Sequence, residues 1–236
     1  MPYRQQDYPM SQKAVWEKEY HNPQLVTKDS KPQKDILRFI RFLKKQEGVL
    51  CHGLHILDLG CGTGRNANYF ASLGNTVIAY DIAKNAVDLG KERAKDLAVD
   101  VHYEVKNIGE PYNLQNDSMD IILDITSSNS LNESEREVCL SEMYRVLKPG
   151  GYVFVKTLCK DGDKHAKNLI KLSPGKEYDT YINKEMGLTE RVFSKMDFEK
   201  LYGAYFSFLS LTKKISYTRF NNKSYKRHFW LAYMKK

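Results

Sequence analysis

The hydrophobic and polar residues of this chain change their spacing several times, and the spacing predicts the elements. From Gln33 onward the apolar residues Ile36, Phe39, Ile40 and Leu43 recur at helical intervals, with Lys and Arg between them. This pattern predicts an amphipathic helix that ends near Gly48. A shorter helix is predicted before it, around residues 11–20.

Short apolar runs and helical patterns then alternate over about a hundred residues. The predicted helices are Arg65–Leu73, Lys84–Leu97 and Glu133–Leu147, the last one ended by Pro149-Gly150-Gly151. The predicted strands are His55–Leu59, Thr76–Tyr80, Val101–Val105, Met119–Ile125 and Tyr152–Thr157. Met119–Ile125 is almost continuously apolar, as expected for a strand that is covered on both faces. Such alternation is typical of a parallel, doubly wound sheet.

The pattern changes after Leu158. Residues 160–190 are polar and Lys-rich without firm periodicity, and Ser194–Leu201 reads as a helix with Ser194 as its N-cap. Phe206–Tyr217 and Arg227–Met234 are aromatic-rich β segments joined by residues 221–223, which predicts a hairpin. We therefore predict an α/β fold: a mostly parallel seven-stranded sheet, helices on both faces and an antiparallel C-terminal hairpin at one edge. Residues 1–236 would form one domain, with an N-terminal lid (1–50), a cofactor-binding core (51–157) and an acceptor-side insertion with the closing hairpin (158–236).

The composition favours an ordinary globular protein. Of the 236 residues 42% are hydrophobic and 28% are charged, and the mean hydropathy is −0.57. No apolar run approaches the roughly 18–20 residues that span a bilayer, so we expect no membrane association and a cytoplasmic location. The four cysteines form no CxxC pair, which predicts neither a disulfide framework nor a metal site.

The charge is divided unevenly along the chain. Residues 1–50 carry 10 Lys/Arg against 6 Asp/Glu, residues 51–150 carry 9 against 15, and residues 151–236 carry 18 against 8. The excess of +8 therefore lies on the two flanks, where it can attract an anionic acceptor or RNA. A solvated Lys-rich surface explains it equally well.

The strongest chemical signal is the loop that follows the first predicted strand. Gly60, Gly62 and Gly64 stand there with GxGxG spacing, directly before a helix. Glycines permit a tight turn and a close approach of a ligand to the backbone. An acidic residue, Asp58, lies in the strand itself, and the next strand is followed by Asp81. A buried carboxylate needs partners, and a carboxylate at the position of Asp81 can bind both hydroxyls of a ribose.

Together these residues resemble motif I and the acidic motif II of the class I, Rossmann-like S-adenosylmethionine-dependent methyltransferases. The resemblance continues through Leu147-Lys148-Pro149-Gly150-Gly151 and covers roughly residues 33–157. It implies S-adenosylmethionine as cofactor and S-adenosylhomocysteine as product. It also implies a set of cofactor-binding residues: Asp58, Gly60, Gly62 and Gly64 at the methionine part, Asp81 at the ribose, Asn107 at the adenine with Ile108 as an apolar contact, and in addition Cys61, Ile82, Asp124, Trp16 and Tyr20.

The glycine loop has an alternative interpretation as a dinucleotide site, and Asn107 has an alternative interpretation as a turn residue. A nicotinamide-dependent dehydrogenase needs a glycine where this chain has Arg65, which is evidence against a dinucleotide. Relatives of the family often have an acidic residue where this chain has Asn107. The side-chain amide of Asn107 can accept the same hydrogen bond from the adenine amine, but more weakly. Alternatively, Asn107 is only a turn residue.

The acceptor is less determined. Asp124, the one ionisable side chain at the end of the fourth strand, is a candidate catalytic residue; alternatively it is a hydrogen-bonded strand-end carboxylate. Trp16 and Tyr20 are expected to close over the cofactor, as lid aromatics do in methyltransferases resembling the tellurite-resistance type, or else to pack on the sheet. A set of basic residues between positions 160 and 171 can bind an anionic group: Lys160, Lys164, His165, Lys167 and Lys171.

Missing motifs narrow the chemistry. No Asn/Asp-Pro-Pro-Tyr/Phe and no Pro-Cys follows the fourth strand, and Cys159 lacks the Thr-Cys-Ser context of an RNA cytosine nucleophile. The leading hypothesis is therefore a methyltransferase acting on a small polar or anionic molecule. One alternative is an RNA methyltransferase that stacks bases on Tyr217, Tyr225 and Trp230. Another is a non-catalytic cofactor-binding subunit.

Overall fold

The computed structural model describes residues 11–22, 29–220 and 223–236. Within this part of the chain it contains a seven-stranded sheet with the order β3-β2-β1-β4-β5-β9-β8. The strands of this sheet are β1 (His55–Leu59), β2 (Thr76–Asp81), β3 (His102–Val105), β4 (Met119–Ile125), β5 (Leu147–Leu158), β8 (Ser207–Phe220) and β9 (Lys223–Lys235). A separate two-stranded sheet contains β6 (Thr180–Asn183) and β7 (Leu188–Arg191).

The first five strands are parallel to one another, and the hairpin β8–β9 adds antiparallel to β5. The chain runs outward from β1 to β3 and then returns to place β4 on the other side of β1. The order therefore reverses between β1 and β4, and in such sheets the crevice at that switch point is where ligands bind. The predicted fold class is confirmed.

Helices cover both faces because the buried strands present apolar residues to both sides. On one face Ile56, Ile121 and Leu123 pack with residues of α2 (Lys34–Phe42), α3 (Arg65–Ser72) and α4 (Lys84–Asp96). On the other face Leu57 and Ile122 pack with residues of α5 (Glu133–Val146) and α7 (Lys195–Gly203). The alternation along β1 and β4 thus divides one sheet between two hydrophobic layers.

The N-terminal helices lie close to their predicted positions. Helix α1 (Gln12–His21) begins after Ser11, whose side chain accepts a hydrogen bond from the Ala14 amide. Helix α2 continues as a π-helical turn, Leu43–Glu47, and ends at Gly48, which has φ +71°. Residues 1–10 and 23–28 of the predicted lid lie outside the described residues.

The stretch 160–190 contains regular structure that its composition conceals. It forms α6 (Lys164–Leu172) and the hairpin β6–β7. Helix α6 is capped by Asp163, whose carboxylate accepts from the Ala166 amide, and Gly187 provides a positive φ in the turn of the hairpin. The sequence pattern did not reveal these elements because each of them is short, between four and nine residues.

Two further boundaries differ from prediction. Strand β5 begins at Leu147, which pairs with Met119, so that Pro149-Gly150-Gly151 lies inside the strand rather than before it. The C-terminal hairpin is longer than predicted, and its connecting residues 221 and 222 lie outside the described residues. None of the helices in the described ranges has the length and apolar character needed to span a membrane.

Candidate active site

The glycine loop joins β1 to α3 at the switch point of the sheet. Its three glycines all have positive φ values, +64° at Gly60, +55° at Gly62 and +77° at Gly64. A β-carbon at Gly60 would lie 2.3 Å from Ser127 Cβ, and one at Gly62 would lie 2.9 Å from Tyr20 Oη. Only glycine combines these angles with such close neighbours.

Gly64 differs from the other two glycines. It does not line either of the two pockets described below. A β-carbon there would lie 1.9 Å from Tyr103 Oη and 3.1 Å from the Cα of Gly90. Gly64 therefore allows α3 to pack against α4 and β3, and the structure does not bring it to the cofactor surface as the resemblance implied.

Two buried carboxylates flank the loop. Asp58 on β1 is 1% exposed, and its Oδ2 atom has no hydrogen-bond partner among the described residues. Burial, reinforced by the nearby Asp81, raises the Asp58 pKa to about 7. Asp81, at the end of β2, accepts hydrogen bonds from the Gly62 and Ala83 amides at 2.8 and 2.9 Å. Burial raises the Asp81 pKa to about 6.

A pocket of about 80 Å³ lies between the glycine loop and the ends of β2 and β3. Most of the predicted cofactor residues line it: Trp16, Tyr20, Gly60, Asp81, Ile82, Asn107 and Ile108. Three others, Asp58, Cys61 and Gly62, line the larger cleft next to it. The sequence thus identified the walls of this region from residues that are far apart in the chain.

Both polar atoms of the Asn107 side-chain amide form hydrogen bonds within the protein. Its Oδ1 accepts from the Gly109 amide at 2.9 Å, and its Nδ2 donates to Glu135 Oε1 at 3.1 Å. The first contact is that of a turn-forming asparagine. Glu135 also lines the pocket and was not predicted, although its place in a capping box with Asn132 at the start of α5 was a readable signal.

Helix α1 lies over this region. Trp16 and Tyr20, one helical turn apart, line both pockets, and their ring centroids are 6.1 Å apart. Gln12, one turn earlier, lines the smaller pocket with a buried Oε1 that has no partner among the described residues. The placement agrees with the lid that was expected.

Asp124 points away from both pockets. Its carboxylate accepts from the Ser127 hydroxyl at 2.7 Å, from the Ser128 amide at 3.0 Å and from the Ser128 hydroxyl. It is 1% exposed and lines neither pocket. The geometry supports the alternative of a hydrogen-bonded strand-end carboxylate, and it does not bring the candidate catalytic residue to a ligand.

Thr126 occupies the position that was expected of Asp124. It lines both pockets and has φ +61°, a conformation that is unfavourable for a β-branched residue. Its amide donates to the Lys156 carbonyl at 2.7 Å, and its hydroxyl donates to the Ile125 carbonyl at 2.6 Å. Strained residues of this kind are concentrated at functional sites.

Comparison with known proteins agrees with this geometry. Residues 56–151, from β1 to the glycines of β5, match the family model described as a methyltransferase domain. This segment of the chain is therefore similar to methyltransferase domains.

The similar proteins within this family are distant. Malonyl-[acyl-carrier protein] O-methyltransferase of Yersinia pestis is 30% identical over 137 residues, which are 51% of this chain and 47% of that protein. Ubiquinone biosynthesis O-methyltransferase of Bartonella bacilliformis is 31% identical over 106 residues, 45% of this chain and 42% of that protein. The chain spans less than half the length of these two curated relatives.

Among solved structures, the fold resembles 1,6-didemethyltoxoflavin-N1-methyltransferase of Burkholderia thailandensis, determined with S-adenosylhomocysteine. The TM-score is 0.69 at 18% identity, over 98% of this chain and 92% of that one. At this identity the likeness concerns the fold alone. It extends beyond the matched family segment to the lid helix and the closing hairpin.

A second, larger cleft lies beside the smaller pocket. This cleft has a volume of about 920 Å³ and is walled by α6, by β6–β7 and by the hairpin β8–β9. It shares Trp16, Tyr20, Gly60 and Thr126 with the smaller pocket. The two cavities therefore meet at the glycine loop, beneath α1.

Two cations, the half-buried Lys156 and the buried Arg227, face this cleft. Lys156 on β5 donates to Asp35 Oδ2 at 3.0 Å, and burial lowers its pKa. Arg227 on β9 is 8% exposed. Its Nη2 donates to Tyr181 Oη at 3.0 Å and its Nε to Asp163 Oδ2 at 3.3 Å, while its Nη1 makes no hydrogen bond to any described residue. Neither cation was predicted, because each becomes part of the cleft only through sheet pairing.

Of the basic residues predicted to bind an anion, His165 alone lines the cleft. It stacks on Tyr225 with ring centroids 4.7 Å apart, and burial together with Arg227 lowers its pKa. Lys160 is paired with Asp179 at 2.6 Å instead. The remaining three, Lys164, Lys167 and Lys171, line neither cavity.

The aromatic residues of the RNA hypothesis are separated by the fold. Trp230 is buried, and its indole donates to the Phe193 carbonyl at 2.9 Å, so it cannot stack on a base. Tyr217 and Tyr225 line the cleft. Cys159 is also buried, and burial raises its pKa to about 12, which agrees with its interpretation as incidental.

Proposed function

We propose that this chain transfers a methyl group from S-adenosylmethionine to a small polar or anionic acceptor bound in the larger cleft. The observation that carries the proposal is the junction of the two cavities at Gly60 and Thr126. A cofactor that fills the smaller pocket and extends to Asp58 at the end of the cleft would meet there an acceptor bound in the rest of the cleft. Holding two reactants in line is the main requirement of a methyl transfer.

The residues of the smaller pocket and of the adjoining end of the cleft fit the proposed cofactor. The Gly62 and Ala83 amides donate to different oxygens of Asp81, and a carboxylate oxygen can accept a further hydrogen bond from a ribose hydroxyl. The unpartnered Oδ2 of Asp58 can accept from the ammonium group of the methionine part. Ile108 and the Asn107–Glu135 pair would contact the adenine. Bound there, the cofactor supplies a methyl group on a cationic sulfur.

The cleft suits a small molecule rather than a polymer. Its volume of about 920 Å³ lies within the usual range of small-molecule sites, roughly 300–1,000 Å³. An RNA strand needs an open, positively charged groove with accessible aromatic rings, whereas Trp230, one of the three aromatic residues of that hypothesis, is buried. The names of the relatives, which refer to malonyl groups and ubiquinone biosynthesis, also support this class of acceptor.

An anionic group on the acceptor is favoured by Arg227. Its Nη1 donors have no protein partner among the described residues, and the side chain lines the cleft while being almost fully buried. A guanidinium in a partly desolvated position binds carboxylate or phosphate in a two-pronged fashion. We therefore assign Arg227 to orientation of the acceptor.

The proposal is tested by measuring formation of S-adenosylhomocysteine with a panel of small carboxylates, phosphate esters and neutral phenols, and with RNA. Turnover with members of the first two groups is the expected result. Turnover with RNA alone would overturn the acceptor class. Cofactor binding without turnover on any acceptor would favour the alternative of a non-catalytic subunit.

Arg227→Met and Lys226→Met form a matched pair for this assay. The two residues are neighbours on β9, but Lys226 is exposed and does not line the cleft. We expect Arg227→Met to raise the KM for an anionic acceptor at least about tenfold, the equivalent of one charged hydrogen bond, with unchanged cofactor affinity. An equal effect of both substitutions would contradict the role of Arg227.

A further inference from the structure

Glu17 on the lid helix makes contacts that the cofactor site itself does not require. Helix α1 presents Gln12, Trp16 and Tyr20 to the cofactor pocket at intervals of one turn. Glu17 points instead to the beginning of α4. Its Oε1 accepts from the Lys84 amide at 2.6 Å and its Oε2 from the Asn85 amide at 3.1 Å.

These contacts complete the N-terminus of α4. That helix begins after Ala83, which has no side-chain acceptor, and its first turn contains no acidic residue. The first amides of a helix have no partner within the helix, and a carboxylate placed there is favoured by hydrogen bonding and by the helix dipole. Here the carboxylate comes from a residue 67 positions away in the chain.

The anchoring point is next to the cofactor pocket. Asp81 and Ile82, which line the pocket, immediately precede Ala83, and the Ala83 amide donates to Asp81 Oδ1 at 2.9 Å. The Asn85 side chain returns a hydrogen bond to the Glu17 carbonyl at 3.3 Å. The carboxylate and the backbone of Glu17 are therefore both tied to the segment that carries Asp81.

The opposite side of α1 contacts the acceptor side of the molecule. Val15 is buried, and its Cγ2 would lie 3.7 Å from a β-carbon at Gly187, in the turn between β6 and β7. Helix α1 thus connects the cofactor-binding segment with the wall of the larger cleft. A displacement of α1 would open both cavities together.

We infer that Glu17 is a positioning residue that holds α1 closed over the cofactor, and that breaking its contact with α4 controls exchange of the cofactor for its product. This inference rests on the proposed binding of S-adenosylmethionine. Trp16 and Tyr20 lie over the junction of the two cavities. Loss of the Glu17 contact therefore speeds the departure of a bound cofactor.

The contact can be removed from either side. Glu17→Ala removes the acceptor. Lys84→Pro removes one donor, because proline lacks the amide hydrogen and is well tolerated at the first position of a helix. The preceding residue, Ala83, already has φ −92° and ψ 120°, which proline allows in its predecessor. Lys84→Pro also removes the exposed ion pair with Asp88, so Asp88→Ala is the matched control that keeps the amide.

The measurement is the dissociation rate of radiolabelled S-adenosylhomocysteine from the full chain, chased with an excess of unlabelled compound. We expect Glu17→Ala to raise this rate at least about fivefold, the equivalent of losing a helix cap. Lys84→Pro should raise it less, Asp88→Ala should leave it unchanged, and the double variant should match Glu17→Ala. This non-additivity distinguishes positioning through one contact from general destabilisation.

Tryptophan fluorescence is the second measurement, and it is made only on variant protein that is folded. Trp16 lies on α1 and Trp230 is buried on β9, so opening of the lid should shift the fluorescence of the folded Glu17→Ala variant to the red. Unchanged dissociation and fluorescence in both variants would overturn the inference while leaving the proposed function intact. Failure of the wild type to bind S-adenosylhomocysteine would overturn the proposed function as well.

Discussion

The most direct test of the cofactor site uses the unusual ionisation of Asp58. In the cofactor-free protein burial raises its pKa to about 7, whereas an unfolded aspartate ionises near 3.9. The protonated carboxyl therefore contributes stability that is fully present below about pH 4 and is lost as the pH rises through about 7. A cation beside Asp58 reverses this preference, because it favours the charged form.

The size of the effect follows from these values. With a pKa of about 7, Asp58 is ionised in about one molecule in ten at pH 6 and in about half of the molecules at pH 7. The ammonium group of the cofactor stays largely protonated over this interval, since α-amino groups ionise near 7.7–8.0. If only the ionised form binds, the apparent affinity rises about fivefold from pH 6 to pH 7. Ionisation of Asp81, whose pKa is about 6, raises the apparent affinity by less than about a further twofold over the same pH interval.

Titration calorimetry at the two pH values measures this difference, and buffers of different ionisation enthalpy count the protons released on binding. We expect nearly one proton per cofactor from Asp58 at pH 6. The variant Asp58→Asn should bind more weakly at pH 7 and retain only the small change due to Asp81. Asp120→Asn is the control. Asp120 lies at the start of β4, the end of the strand that is far from the glycine loop, and its ion pair with Lys148 helps to lower its pKa. An affinity that does not change with pH, or a pH dependence that persists in Asp58→Asn, would refute the reasoning.

Three further substitutions test the packing and strain of the site. Gly64→Ala should lower the free energy of unfolding by about 3 kcal/mol, because its β-carbon would lie 1.9 Å from Tyr103 Oη at a φ of +77°; urea denaturation measures this, and a loss below about 1 kcal/mol would contradict it. Thr126→Asn should raise the free energy of unfolding by about 1 kcal/mol, because asparagine tolerates the φ of +61° found at this position. The rate of methyl transfer should decrease, and a variant less stable than the wild type would argue against strain at Thr126. Asp35→Asn should lower the free energy of unfolding by about 3 kcal/mol, because Asp35 is 2% exposed and is the carboxylate partner of Lys156 and Lys214. Thermal melting above pH 5 tests this, because ion pairing lowers the Asp35 pKa and the stabilisation is lost only in acid.

The sequence by itself determined the sheet and the approximate walls of the cofactor pocket. The burial of β4 on both faces, the alternation of elements and the spacing of the glycines are local properties, and each predicts the conformation of its own segment. Because the carboxyl ends of parallel strands meet at one edge of a sheet, a correct order of strands also brings Asp81, Asn107 and the glycine loop together. Asp58 was predicted from its place in the strand before the glycine loop, whereas Trp16 and Tyr20 were predicted from the resemblance to methyltransferases with lid aromatics.

Only the tertiary structure decided how individual side chains are used. Asp124 was a reasonable candidate until the turn at Ser127 and Ser128 was seen to saturate its carboxylate. Gly64 shares a motif with Gly60, yet it faces Tyr103 instead of the pocket. The role of Asp124 depends on the direction of a side chain at the end of a strand, which a one-residue shift reverses. The role of Gly64 depends on the neighbours that its helix packs against.

The acceptor cleft shows the same limit more clearly. Arg227 and Lys156 are 71 positions apart and face one cavity because β9 pairs with β5. Glu17 reaches an α4 amide 67 residues away. No local pattern predicts such contacts, since the burial of each group and the partner it meets arise only when distant elements pack together. The sequence therefore determined the sheet and the similarity to methyltransferase domains, whereas packing decided which residues line the two cavities.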